Sequence, residues 1–515
     1  MVGKSSAPTG THTTTVTNAA GQRTHYEHND AYRLVRQTDP LGHSVRQEWD
    51  TSHRLTAVTD PLGHTTRYSY DERGRLVSVI RPGNRETVFM YNALGLTTAV
   101  TSPDGTVWHQ DFDERGNRTA VIDPAGTTSR FTYDSKGHLT SVTDALGNVT
   151  RLNNDGAGLP VEAIDALGST TLYERDAFGR PIAITDPLGN VTHSRWTVEG
   201  RITHRTNADG SSESWTYDGE GNCTSHTDTL GAVSLFEYAP FDVLAARTGP
   251  DGVRYTFAYD SELRVTQVTN PQGLTWTYSH DPAGRLVAEK DFDDRVPTYS
   301  HDAAGRLTSH TNALGQTVRY ERNALGRVLR KDADGQVTTF AYDLTDQLAH
   351  ATGPDATLIL VRDPLGRLQS ETVNGRTLSV TYDRLGRRTS RVTPTGATST
   401  WSYDGAGRST QLTVPGRTLD FDHDQAGREV ACRVGENLAQ TQSFDELGRL
   451  TEQSVNAGGS RVLQKRSYSY RADGNVQALD DLLNGTRRFD LDGAGRVTAV
   501  HAHAWTGDVR IRRGG

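Results

Sequence analysis

Carboxylates are the side chains of this sequence best suited to chemistry, and they recur along it. Asp420-Phe421-Asp422-His423-Asp424 sets three of them at alternate positions, a donor set that suits Ca²⁺. It lacks the glycine and the closing glutamate of an EF-hand loop, and His423-Asp424 belongs to a pattern found elsewhere in the chain. His280, His301 and His423 stand where other copies of that pattern carry an aromatic residue. A strand side chain is expected there rather than a zinc ligand. His501 and His503 alternate near the C-terminus, too few ligands for zinc. Cys223 and Cys432 lie in unrelated contexts and form neither a metal motif nor a disulfide framework. The sequence holds no Gly-x4-Gly-Lys-Ser/Thr loop, nucleophile elbow or His-Glu-x-x-His helix. Carboxylate pairs suited to glycoside hydrolysis abound, but every turn supplies one and none is singled out. No catalytic, metal or cofactor-binding residue is assigned; the chain reads as a non-enzyme that needs no cofactor.

The carboxylates belong to turns. Tyr70-Asp71-Glu72-Arg73-Gly74-Arg75-Leu76 reads as a strand end, a tight turn and a new strand. Asp71 is a short acceptor at the first turn position, and Gly74 fits the left-handed fourth position of a bulged hairpin loop. The same pattern returns at Tyr217-Asp218-Gly219-Glu220-Gly221, Tyr382-Asp383-Arg384-Leu385-Gly386 and Tyr403-Asp404-Gly405-Ala406-Gly407. Counted from Asn29, the Asp position recurs every 21 residues to Asn323, then at steps of 20 or 21 to Asp445. A longer step across Gly458-Gly459 reaches Arg471, and Asp492 closes a series of 23 copies. A period held this long indicates one repeat architecture.

A second turn lies between copies, clearest in Asp39-Pro40-Leu41-Gly42, Asp60-Pro61-Leu62-Gly63 and Asp186-Pro187-Leu188-Gly189. Proline presets the second position of a type I turn, and glycine again suits the bulge. Each copy therefore holds two turns and two strands of about six residues. The incoming strand alternates, as in Trp276-Thr277-Tyr278-Ser279-His280. In the outgoing strand the apolar residues are three apart, Leu55 and Val58 or Leu76 and Val79. Strict alternation cannot put both on one face, so a bulge or twist is expected there. The 20-residue copies are expected to lose their residue from this same strand, for example between Gly326 and Asp332.

Only 34% of the chain is hydrophobic, so no thick solid core is expected. The net charge is −8, and 50 of the 55 basic residues are Arg. Many of them, Arg75, Arg285, Arg306 and Arg387 included, follow a turn glycine. They are read as partners of turn carboxylates and neighbouring aromatics. A nucleic-acid partner would want a basic face, which this balance does not supply. No apolar run reaches membrane-spanning length, and Met1 to Gly10 has no signal-peptide core.

The expected fold is all-β: an antiparallel hairpin ribbon of about 46 strands, which must coil because open sheets rarely exceed ~10 strands. A spiral hollow shell or partial cage meets the low apolar content; a propeller of paired copies competes on length. Coils are expected to pair at their edges and hide strand backbone. Residues 1–18 read as an extension running into the repeats, 19–500 as one continuous array and 501–515 as a non-repeat tail.

The motif Tyr-Asp-x-x-Gly-Arg-Leu, with Asp-Pro-Leu-Gly about ten residues on, resembles the Rhs/YD-repeat family over essentially the whole chain. The resemblance implies a β-ribbon spiralling into a hollow shell, which in bacterial members encloses a C-terminal toxin. Delivery is by contact-dependent systems, often type VI secretion, or within insecticidal toxin complexes; animal teneurins carry related repeats. It implies a bacterial cytoplasmic protein before export and an extracellular one after. Family members often end the shell with a self-cleaving Pro-x4-Asp-Pro-x-Gly-Leu element. Asp363-Pro364-Leu365-Gly366-Arg367 is the nearest match, has Arg where Leu should be, and reads as an ordinary repeat turn. With no room for a spike-docking domain and no toxin domain, the chain reads as shell without cargo. Its expected partners are a toxin domain, a second shell chain or a secretion-spike component. The alternative function is a cell-surface or carbohydrate-binding module; an enzyme ranks third. A binding module should show a solvent-facing aromatic cluster that interrupts the repeat.

Overall fold

Tyr-Asp-x-x-Gly dictates the local structure. The backbone N–H of Gly74 donates to the Asp71 carbonyl at 3.0 Å and that of Asp71 to Arg75 at 3.0 Å. Gly74 takes φ of 81°, a conformation that costs a residue without Cβ nothing. This pair of bonds recurs at every marked copy except Ala239. The computed structural model describes residues 2–6, 12–459, 461–502 and 509–510. Within them lie 49 strands and no helix. The all-β hairpin ribbon expected from the sequence is the fold found.

A bulge occupies the outgoing strand. Tyr70 opposes Leu76 and Ser69 opposes Ser78, so Val77 is the extra residue. Leu76 and Val79 thereby share the face of Tyr68 and Tyr70, which accounts for apolar residues three apart. The 20-residue copies correct one expectation. Their bulge is intact, with Arg322 opposite Val328 and Glu321 opposite Arg330. The missing residue comes from the second turn. Ala333 opposes Gln336 around a two-residue loop, Asp334-Gly335, where both residues have positive φ. Val373 and Arg376 close over Asn374-Gly375 in the same way. The bulge holds the apolar face in register, whereas a hairpin closes equally well with one residue fewer in its loop.

The chain forms two compact units, Met1–Thr128 with Thr256–Ser379, and Ser129–Tyr255 with Val380–Gly515. In each, successive strands pair antiparallel, as Leu55–Thr59, Thr65–Tyr70 and Leu76–Arg81 do in the first. Val149–Asn154, Pro160–Ile164 and Thr170–Arg175 do so in the second. The sheet is a single layer, and no large side chain among the described residues is fully buried. One face carries the Tyr, Trp, Leu and Val side chains, half-buried. The other buries only small residues under long polar ones. Ala57 lies between Glu48 and Arg67, and Ala246, 1% exposed, lies opposite Glu237.

The edges also differ from expectation. Strands run across the ribbon, so its long edges are rows of turns, Tyr-Asp turns along one and proline-type turns along the other. Coils that meet at these edges join through turns and not through unpaired strand backbone. His503 and residues 511–515 of the tail lie outside the described residues.

Candidate functional site: the two turn edges

Along the Tyr-Asp edge each turn is tied to the next. Asp71 Oδ1 accepts the backbone N–H groups of Arg73 and Arg75, each at 2.9 Å, and Oδ2 accepts Arg75 Nε at 2.7 Å. Arg75 Nη1 then donates to the carbonyl of Asn92, the equivalent residue one copy on, at 3.1 Å. Its guanidinium lies 4.8 Å from the centre of the Tyr91 ring, and Tyr91 Oη donates to the Leu76 carbonyl at 2.7 Å. Tyr70 reaches the Leu55 carbonyl likewise. The backbone N–H of Arg75 is the main cause that holds the Asp71 carboxyl below its usual range, and its side chain adds to this. Burial pushes the Tyr70 phenol up.

The other turns vary this scheme. Arg387 pairs with Asp383 at 2.7 Å and stacks 4.5 Å from the Tyr403 ring; Gly386 has φ of 81°. Tyr403 donates to the Arg388 carbonyl, and Asp404 pairs with Arg408 above a left-handed Gly407. Tyr217 donates to the Ile202 carbonyl, while Asp218 takes Asn222 in place of an arginine beside Gly221. Tyr382 ends the strand Arg376–Tyr382 at the corresponding place. Asp363-Pro364-Leu365-Gly366 is a repeat turn closed by Arg367 on Asp363 at 2.6 Å.

At Asp39, Asp60 and Asp186 the proline-type edge uses the same cap without arginine. Asp39 accepts the backbone N–H groups of Leu41 and His43, and Asp60 those of Leu62 and His64. Asp186 accepts those of Leu188 and Asn190 and also the Asn190 amide. Pro40, Pro61 and Pro187 hold the second turn position, and Gly42, Gly63 and Gly189 are left-handed at the fourth.

The two edge types meet inside each unit. In the first, the backbone N–H of Ala19 donates to Glu262 at 3.1 Å, and Arg81 pairs with Asp346 at 3.0 Å. Arg85 donates to the Asp343 carbonyl at 2.7 Å. In the second, Thr229 donates to the Ala472 carbonyl at 2.8 Å, Arg496 pairs with Asp251, and Arg449 lies 3.6 Å from Asp209. A proline-type turn always meets a Tyr-Asp turn, and the hydrogen-bonded partners lie 243 to 265 residues apart. That offset is about twelve copies. The sequence reading missed these pairs. Its one available signal was Asp346, a carboxylate where the turn calls for glycine, held at φ of 66°.

The singled-out metal candidates are engaged in pairs. Asp420 accepts Gln411, Asp422 is paired with Arg433, and Asp424 with Arg428. Among the described residues no group of three or more His, Cys, Asp or Glu is placed to hold a metal ion. His301 is half-buried at the aromatic position, with its Nδ1 buried and unpartnered. Cys223 and Cys432 are free thiols. One aromatic cluster interrupts the repeat, at the irregular segment Asp291 to Pro297. Trp276 packs edge-on against Phe292, and Glu289 accepts both Trp276 Nε1 at 3.0 Å and Tyr299 Oη at 2.5 Å. Burial, and then that carboxylate, push the Tyr299 phenol up to about 12.

These features define a tandem β-hairpin array whose turns carry its long-range contacts. The RHS Repeat family pattern matches residues 9–44, 49–86, 91–128, 155–191, 196–233, 259–296, 301–333, 323–358 and 362–398, more than half of the chain. The chain belongs to the RHS repeat family. The structure carries the repeat beyond that match, since Asp404, Asp424, Asp445, Arg471 and Asp492 close the same turn. Among solved structures, TcdB2-TccC3 without its hypervariable C-terminal region aligns over 97% of this chain and 32% of its own, at 15% identity and TM-score 0.58. TcdB2-TccC3-Cdc42 aligns over 96% and 32%, at 14% identity and TM-score 0.57. TcdB2-TccC3 aligns over 97% and 33%, at 15% identity and TM-score 0.57. This chain therefore spans about a third of the length of those structures and shares their fold. No curated protein matches it.

Proposed function

We propose that this chain is a wall segment of an Rhs-type hollow shell, built from a coiled hairpin ribbon, that encloses or escorts a toxic cargo. The observation that carries this reading is the turn-to-turn return within each unit after about twelve copies, combined with a single-layer sheet. A ribbon that meets itself at such intervals makes a wall. With no large side chain fully buried among the described residues, it does not make a solid core. The turn carboxylates are engaged mainly by the repeat itself, so the segment acts as scaffold and not as catalyst. Membership of the RHS repeat family and a fold shared with TcdB2-TccC3 support this reading. Its partners are then a toxin domain or a second shell chain, with a secretion-spike component for export. The protein resides in the bacterial cytoplasm before a specialised route, such as type VI secretion, delivers it in interbacterial competition.

The test is small-angle scattering of the purified chain with expression in a bacterial cytosol. A solid chain of this length has a radius of gyration of roughly 24 Å. The expected result is a larger radius, a distance distribution depleted at short vectors, and normal growth. A solid-sphere profile near 24 Å overturns the shell, and growth arrest by this chain alone overturns the scaffold role.

A further inference from the structure

On the polar face of the second unit, Ala183 lies 3% exposed between Glu174 and His193. A cavity of about 560 Å³ opens over it, lined also by Ile182, Arg195 and His204. That volume lies within the range of small-ligand pockets. The lining departs from the repeat. Arg195 and His204 stand opposite each other on the strands Val191–Trp196 and Ile202–Thr206. Other copies put small residues at this pair, Ser69 opposite Ser78 and Ser300 opposite Ser309. His193 precedes Arg195 by two residues on one strand and so shares its face. Three N–H-bearing side chains are thereby gathered at spacings of roughly 5–7 Å. None of the three side chains has a hydrogen-bond or ion-pair partner among the described residues; of Arg195 only the backbone carbonyl is engaged, by the Thr203 hydroxyl at 3.2 Å. Arg205, on the opposite face, is by contrast paired with Glu213.

We propose that this cavity binds a small phosphate monoester, independently of any role as shell wall. The guanidinium of Arg195 presents a fork that takes two phosphate oxygens side by side. Each imidazole carries an N–H in either tautomer, and His193 and His204 offer theirs from two sides of that fork. A carboxylate has two oxygens and would leave donors unpaired; the three free oxygens of a monoester match the set. Ala183 supplies the room, since a longer side chain on this row would fill the space that the anion needs. The far wall sets the rest of the ligand. Ile182, 36% exposed, offers an apolar contact to the organic group. Glu174 lies two strands from His193, roughly 10 Å away, with a carboxylate that has no partner among the described residues. It accepts a hydroxyl of the esterified alcohol and repels a second anionic group.

The experiment is calorimetric titration of the full chain with glycerol 3-phosphate, inorganic phosphate and glycerol at physiological salt, which screens diffuse surface attraction. Flotation with phosphatidic acid vesicles distinguishes a lipid headgroup from the soluble ester. The expected result is one saturable site per chain for glycerol 3-phosphate with Kd below ~1 mM, tighter than inorganic phosphate, and no heat from glycerol. Arg195→Ser and His204→Ser should each weaken it tenfold or more. Both variants restore the residues of the Ser69 and Ser78 pair, so the hairpin keeps its fold. Arg151→Ser, an exposed arginine of the same unit outside the cavity, should leave binding unchanged. The site is overturned if glycerol 3-phosphate does not saturate, if either serine variant binds like the parent, or if Arg151→Ser weakens binding as much. Inorganic phosphate binding as tightly overturns the monoester, and binding to vesicles without saturation by the soluble ester overturns the proposal as well.

Discussion

Arg81 and Asp346, 265 residues apart in the chain, are joined at 3.0 Å between Nη1 and Oδ2. The Asp346 side chain is only 3% exposed, and its Oδ1 has no partner. It occupies the left-handed position that glycine holds in most of the turns, so the contact offsets a strained backbone as well as a desolvated charge. Arg81→Ala should therefore cost about 3 kcal/mol, since it leaves a buried carboxylate unpaired. Asp346→Gly in the same chain should recover most of that loss. Hydrogen exchange at residues 81–85 and 343–347 checks this; a double variant no better protected than Arg81→Ala would refute it.

Gly74→Val should destabilise its hairpin by ~1–3 kcal/mol, because a β-branched residue is strained at φ of 81°. The nearest side-chain atom to a new Cβ is Arg54 Nη1 at 3.8 Å, so strain and not collision is the cause. Exchange should quicken around residues 65–81 and stay unchanged several copies away, as nearest-neighbour stability of repeats requires. Uniform loss of protection along the array would contradict this.

Arg75→Lys should loosen the edge despite keeping the charge. Lysine cannot hold Asp71 through Nε, reach the Asn92 carbonyl and lie over Tyr91 together. The distinctive readout is its spread. Turns 71–75 and 92–96 should lose protection together because one guanidinium ties both. Loss confined to 71–75 would show that the copies are not coupled through this side chain.

Acid should unfold the array at low pH. Arg471 holds Asp473 at about 2, helped by Asn475 and against burial. Asp383 and Asp404 are also lowered: burial opposes, but the bonds from Arg387 and Arg408 prevail. A carboxyl depressed on folding contributes stability above its unfolded value of about 3.9, and loses it as pH falls through the folded value. Circular dichroism should therefore be flat from pH 7 to 5 and collapse between pH 4 and 2. A transition centred at pH 6 would contradict this.

The hairpin was legible in the sequence because its determinants are local. Asp71, Gly74 and Arg75 close one turn within five residues, and Tyr91 answers Leu76 fifteen residues away, so their spacing alone implies the geometry. The bulge at Val77 was legible for the same reason, since Leu76 and Val79 must share a face. Spacing could not say which turn shortens in a 20-residue copy, because a three-residue and a two-residue loop both close the ladder. Nor could it place Arg81 on Asp346 or Arg496 on Asp251. Those meetings depend on twist summed over about two dozen strands, a small rotation per strand that no single residue encodes. The local turn is thus written in each copy, while the partner of each turn is decided only once the ribbon has returned to itself.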